Sequence, residues 1–164
     1  MLGGMSEDAR GPARYASEID EARERLVAFA DGCSDGQWHA APLDGDPRPV
    51  GVVVDHVAHA YEYLAEWMRQ ILDGQTVTVS SEVVDALNAE HAARAAGVTQ
   101  AEVVEHLRRS GTAISQLVAA CSAEDLQVGG GRVERLAQIA IRHADDHRAE
   151  IEAGLAASSG PGPG

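Results

Sequence analysis

Apolar residues recur at spacings of three and four along most of this chain, the period of helices with one face turned inward. Over residues 14–31, Tyr15, Ile19, Ala22, Leu26 and Phe29 or Ala30 share a face, and Gly32 ends the run. After a loop rich in Gly, Pro and Asp, the stripe Val50, Val53, Val57, Leu64, Met68 and Ile71 predicts a helix over residues 49–73. The β-branched run Val52-Val53-Val54 would suit a buried strand, but the stripe persists for about six turns, which a strand does not explain. Residues 76–79 read as briefly extended, and Ser81 caps a helix to about Ala96, closed by Gly97. Thr99 with Glu102 forms a capping box for a helix through Val103, Leu107, Ile114, Leu117 and Val118 to about Cys121. Residues 122–126 read as a short turn, and after Gly129-Gly130-Gly131 a last helix covers residues 132–156.

No internal repeat and no convincing strand pair interrupts this pattern. Short connections between helices predict an all-α, up-and-down bundle of about four long helices, with an extra short helix or turn. With 164 residues the chain has room for one sizeable core. That domain is expected over residues 13–156. Residues 1–12 and 157–164, rich in Gly and Pro and without apolar periodicity, read as disordered ends.

Charge narrows the partners. The formal net charge is -13 and the sequence pI about 4.8, the wrong sign for neutralising nucleic-acid phosphates or settling on anionic lipid. All 13 basic residues are Arg, so Schiff-base lysines and the lysine of a phosphate-binding loop are excluded together. Cys33 and Cys121 do not make a disulfide framework, and the acidic start at Ser6, Glu7 and Asp8 is unlike a secretory signal; a reducing cytoplasmic location is expected. The longest apolar run, residues 50–54, is far short of a membrane span.

Candidate chemistry lies on the last helix. With His143 at 0° and about 100° per residue, Val133, Leu136, Ile139, Ala140, Ile151 and Gly154 fall between about -40° and 80°; His147 lands near 40° and Glu150 near -20°. Three titratable groups are thus expected in the middle of a core-facing stripe, and two imidazoles one turn apart are spaced to bind one metal ion. Roughly 0.3 His-x-x-x-His pairs are expected by chance at this composition, so position on the stripe carries the information. Core histidines satisfied by carboxylates such as Asp145 or Asp146 remain the other reading. On the second helix His56 sits at the inner edge of the apolar stripe, while His59, near -60°, leans outward; His56 is the better third ligand. Two ligands from one helix and one from another leave positions open, the mark of a catalytic rather than a structural site.

Two stretches carry a family resemblance. Pro49-Val-Gly-Val-Val-Val-Asp-His56-Val, with Trp38 and a loop before it, resembles the segment holding the first His of the DinB/YfiT-like superfamily. His143-Ala-Asp-Asp-His147-Arg148-Ala149-Glu150-Ile151 is similar to that superfamily's closing pattern, His-x-x-x-His-Arg-Gly-Gln-Ile. Asp85-Ala-Leu-Asn88-Ala-Glu-His91, followed by residues 99–107, resembles the branch that includes mycothiol-dependent maleylpyruvate isomerases. The likeness covers roughly residues 14–156. It implies a four-helix bundle, often dimeric, holding a divalent metal, commonly zinc or nickel, on residues matching His56, His143 and His147. Members of known activity often move or activate a small thiol. Ala149 and Glu150 depart from the usual Gly and Gln, and Arg48-Pro49 stands where Trp-Ser often precedes the first His segment. Glu150 is therefore a candidate fourth ligand, an acceptor orienting a histidine, or a catalytic base. The isomerases of this branch carry a further C-terminal domain that this sequence does not contain, so the likeness is to their metal-binding domain.

Trp38, Tyr61, Tyr63 and Trp67 either line a pocket above the metal or pack in the core. Asn88 and His91 are expected to face inward, as interhelical hydrogen-bonding groups or substrate contacts. Trp38, His59, Tyr63, Trp67, Asn88 and His91 form the candidate substrate-contacting set, and His39 and His106 read as surface residues. Gly32-Cys33-Ser34-Asp35-Gly36 matches a nucleophile elbow in letters, but a helix precedes it where a strand is needed; Gly32 reads as a helix stop and Ser34 with Gln37 as a cap. The expected function is a metal-dependent small-thiol S-transferase with mycothiol as co-substrate. Metal-assisted hydrolysis, or a non-catalytic dimeric bundle binding a metal or small ligand, are the alternatives.

Overall fold

The computed structural model describes residues 10–160, and among these there are seven helices and no strand. They are α1 (Pro12–Gly32), α2 (Asp35–His39), α3 (Val50–Leu72), α4 (Ser81–Ala95), α5 (Gln100–Ala119), α6 (Ala123–Leu126) and α7 (Val128–Ser158). The four long rods α1, α3, α5 and α7 form the bundle. Both α1 and α3 pack against α5 and α7, so α1 and α3 face each other across the diagonal. The helices follow the apolar stripes: Ile19, Ala22, Leu26, Val53, Val57, Met68, Val103, Leu107, Ile114, Val133 and Ile151 are all fully buried. α4 has no such stripe. It buries only His91 and Ala95 and lies along the outside of α3.

Local signals set the helix starts. Ser34 and Gln37, Thr99 and Glu102, and Ser122 and Asp125 each form a reciprocal capping box, giving two otherwise unpaired backbone N–H groups their acceptors. The cap of α4 is Ser80, whose hydroxyl accepts from the Val83 N–H, so Ser81 is already helical rather than the cap. Residues 75–80 form no regular structure. Val77 is buried, and its carbonyl accepts a 2.6 Å hydrogen bond from Arg132. Gly129, Gly130 and Gly131 have φ of 67°, 68° and 78°, a left-handed run that side-chain-bearing residues rarely adopt, so the right-handed rod of α7 begins at Arg132. α7 extends to Ser158, two residues beyond the expected end of the domain, and residues 1–9 and 161–164 of the expected flexible ends lie outside the described residues. Cys33 and Cys121 are free, one buried and one half-buried.

Two features make the start of α3 unusual. Residues 50–58 are buried all round, because α2 and α4 close sides of α3 that the four-rod core leaves open. Trp38 of α2 lies so close that a Cβ on Gly51 would stand 2.6 Å from its indole ring. The histidine of this segment therefore sits deep in the protein.

Candidate metal centre

α3 and α7 bring three imidazoles together. His56, His143 and His147 offer ligand nitrogens that lie within 4.8 Å of one another, a group able to hold a metal ion. The ring centroids are 4.9 Å apart for His56 and His143, 5.3 Å for His56 and His147, and 4.5 Å for His143 and His147. Nε2 of His143 is 2.9 Å from Nε2 of His56, close to the separation of about 3.3 Å that two nitrogens have on a tetrahedral zinc ion. Two imidazole nitrogens at this distance share either a proton or a cation. Among the described residues no carboxylate hydrogen-bonds any of the three rings, and Nδ1 of His56 and of His147 are buried without a partner. The reading in which Asp145 or Asp146 satisfies these histidines therefore fails: Asp145 is paired instead with Arg25 and Arg148.

The electrostatics suit a cation ligand set. Burial pushes the His56 imidazole down to about 3, helped by His143, His147 and Arg48, and burial with His147 and Arg48 pushes His143 down to about 4. His147 is lowered by burial too, against the opposing pull of Glu150. All three rings are thus neutral at pH 7, with lone pairs available. Arg48, gripped by Asp46 through a 2.7 Å ion pair, is the fixed positive charge of this surround, and it stands where the DinB/YfiT-like pattern often has Trp-Ser.

Glu150 is not in the core. Its side chain is 58% exposed, and its nearest approach to the centre is 3.6 Å to Nδ1 of His147. The reason lies in the true position of the stripe. Val133, Ala137, Ala140, Ala144 and Ile151, all fully buried, cluster at about 60–120° on the wheel with His143 at zero. His143 and His147 therefore stand at the edge of the buried face, and Glu150 falls outside it. Ile139, also counted into the stripe, is 39% exposed for the same reason.

The candidate substrate-contacting residues separate into two groups. Trp38 is buried in the core against Gly51 and lines a cleft of about 270 Å³ between α2, α3 and the end of α4. The others line the contact of α3 with α4. His59 stacks on His91 with centroids 5.2 Å apart, Tyr63 meets His59 edge-on at 5.8 Å, and Tyr63 packs on Trp67 at 4.7 Å. Asn88 is half-buried, with its Oδ1 unpartnered. Tyr61 takes the second of its two expected roles: it is fully buried in the core, and burial raises its phenol pKa.

A second polar cluster escaped the sequence reading. Asp55, the neighbour of His56, is buried and accepts hydrogen bonds from His91 Nε2 and His106 Nδ1, each at 2.7 Å. His106 Nε2 in turn donates to Glu62 at 2.9 Å, so His106 is a half-buried bridge between two carboxylates rather than a surface residue. Burial pushes the Asp55 carboxyl up, but the bonds from His106 and His91 outweigh it and hold it well below the usual carboxylate range. The hydrogen bond to Asp55 raises His106. A signal was present: Asp55, His59 and Glu62 recur at helical spacing on the side of α3 away from its apolar stripe.

A family model described as the DinB superfamily matches residues 18–151, most of the chain and all three histidines. The chain belongs to the DinB superfamily. Its members are metal-binding proteins, and the His56, His143 and His147 group of this DinB chain is placed to serve that role. Comparison with curated proteins gives no match. Among the described residues no helix is long and apolar enough to cross a membrane.

Proposed function

We propose that this DinB-superfamily chain is a divalent-metal-dependent enzyme that transfers a small thiol, of the mycothiol type, to a small electrophile. What carries the reading is the convergence of one buried and two half-buried neutral imidazoles, none of them hydrogen-bonded to a carboxylate among the described residues. A zinc or nickel ion held by His56, His143 and His147 supplies Lewis-acid chemistry at its open positions, lowering the pKa of a bound thiol or water. Burial keeps the three nitrogens unprotonated at neutral pH. Glu150 stands at the exposed rim of the site, 3.6 Å from Nδ1 of His147, and acts on the bound group from there rather than from within the core. Arg48, ion-paired with Asp46, helps burial to hold the imidazoles unprotonated. The face formed by His59, Tyr63, Trp67, Asn88 and His91 receives the substrate. A homodimer working in the cytoplasm completes the proposal.

The test is purification followed by metal analysis, then an assay of thiol consumption with electrophiles such as maleylpyruvate-like enones, with ester hydrolysis measured in parallel. Stoichiometric metal with thiol-dependent turnover supports the reading. Metal with thiol-independent hydrolysis replaces it by a hydrolase, and metal without turnover by a binding protein. Protein that takes up no zinc, nickel, iron or copper sinks it.

A further inference from the structure

Outside the three-histidine group, the polar cluster of α3, α4 and α5 lines an open cleft of about 330 Å³, bordered by Asp55, His59, Glu62, His91, Arg94 and His106. Its protein-side hydrogen bonds are arranged in one direction. A carboxylate only accepts, so the contact of His91 Nε2 with Asp55, at 2.7 Å, puts a proton on Nε2, and in the neutral ring Nδ1 is then a bare acceptor. His59 Nδ1 lies 3.3 Å from Glu62, which by the same logic leaves its Nε2 bare. The carboxylates are already engaged, since His106 occupies the second oxygen of Asp55 and the other oxygen of Glu62. Both bare nitrogens are buried and have no partner among the described residues. His91 itself is 5% exposed. One helical turn earlier on α4, Asn88 Oδ1 is a third buried acceptor without a partner.

Buried acceptors left unpaired are costly, and the missing complement here is a donor. A single metal ion does not fit. The His59 and His91 rings are stacked, 13° from parallel with centroids 5.2 Å apart, so their in-plane lone pairs do not converge on one point about 2 Å from each. We infer that this cleft recognises a ligand bearing adjacent N–H or O–H donors, an amino alcohol or polyol group, with His59 Nε2 and His91 Nδ1 accepting from it. The cleft adjoins the metal centre, since the His91 ring lies 6.0 Å from that of His56. The inference rests on the proposed reading in one respect: the donor-bearing group belongs to the substrate or thiol worked on there.

Imidazole-nitrogen NMR of the full chain, titrated with 2-amino-1,3-propanediol and separately with propionate, tests it. Saturable shifts at His59 and His91 with the amino diol only, and at least about fivefold weaker binding in His59→Phe, are expected. The Phe ring preserves the stack and removes the acceptor. Absence of saturable shifts, equal binding of propionate, or unchanged affinity in His59→Phe overturns the inference. The two-ligand comparison on the unmodified chain needs no variant. The unmodified chain separates the two readings: absent titration with stoichiometric metal bound sinks this inference alone, whereas saturable titration in a chain that takes up no metal sinks only the metal reading.

Discussion

Removing one imidazole from the three-histidine group has a calculable consequence. Structural zinc sites gain about 10–16 kcal/mol from about four ligands, so one ligand is worth roughly 3 kcal/mol, or more than a hundredfold in affinity. His143→Ala deletes the ligand whose Nε2 stands 2.9 Å from that of His56. With two imidazoles left on different helices, zinc affinity should fall at least a hundredfold. Competition against a chromophoric chelator measures this directly, with circular dichroism to show that the variant remains helical. His59→Ala is the control. Its ring stacks on His91 and lies outside the group of converging nitrogens, so the affinity should change less than about threefold. Zinc affinity unaltered in His143→Ala, or reduced equally in His59→Ala, would refute the assignment of ligands.

In the metal-free protein, stability should fall as pH drops from about 6.5 towards 4. The unfolded chain takes up protons on His56 and His143 below about 6.5, while burial holds their folded values near 3 and 4, so the unfolded state binds more protons in that window. Each contributes about 1 kcal/mol per pH unit. His106, whose value is raised, works in the opposite sense, but its contribution is fully present below 6.5 and is lost only as pH rises through its folded value. Urea unfolding at pH 7.5, 6 and 5 reads the slope, and a flat or inverted dependence between 6 and 5 contradicts it. Asp55→Ala leaves His91 and His106 without the buried carboxylate they share, and should cost about 3–5 kcal/mol in urea unfolding. Gly51→Ala drives a methyl to 2.6 Å from the Trp38 indole and should lower stability by about 1–3 kcal/mol, visible as a shift in Tm and in tryptophan fluorescence. An unchanged Tm there would mean that α2 moves aside freely.

Much of this molecule was legible in one dimension because its signals are local. A stripe of apolar residues at helical period specifies a rod whatever the rod later touches, and capping boxes at Ser34 and Thr99 are made within four residues, so both the helices and several of their starts follow from the letters alone. The pairing of His143 with His147 is equally local, one turn apart on a single helix. His56 was a candidate from its place on the apolar edge of α3. What periodicity did not provide was rotation. Counting Ile139 and Gly154 while leaving out Ala137 and Ala144 put the presumed centre of the α7 stripe roughly 60° from the buried one, placing Glu150 in a core from which it is excluded.

The rest depended on which helices meet. Asp55 is an ordinary surface letter on the polar side of α3 until α4 and α5 cover it with His91 and His106, 36 and 51 residues away in sequence. No local rule reports such a contact, because it is created by the packing of three separate helices. The same packing decided that His106 bridges two carboxylates and that His56 and His91 lie 6.0 Å apart. Sequence thus determined the rods and the residue types each presents, since those depend on neighbours within a turn or two. Tertiary structure alone decided their relative rotation and partners, and with them which polar groups are left buried and unsatisfied.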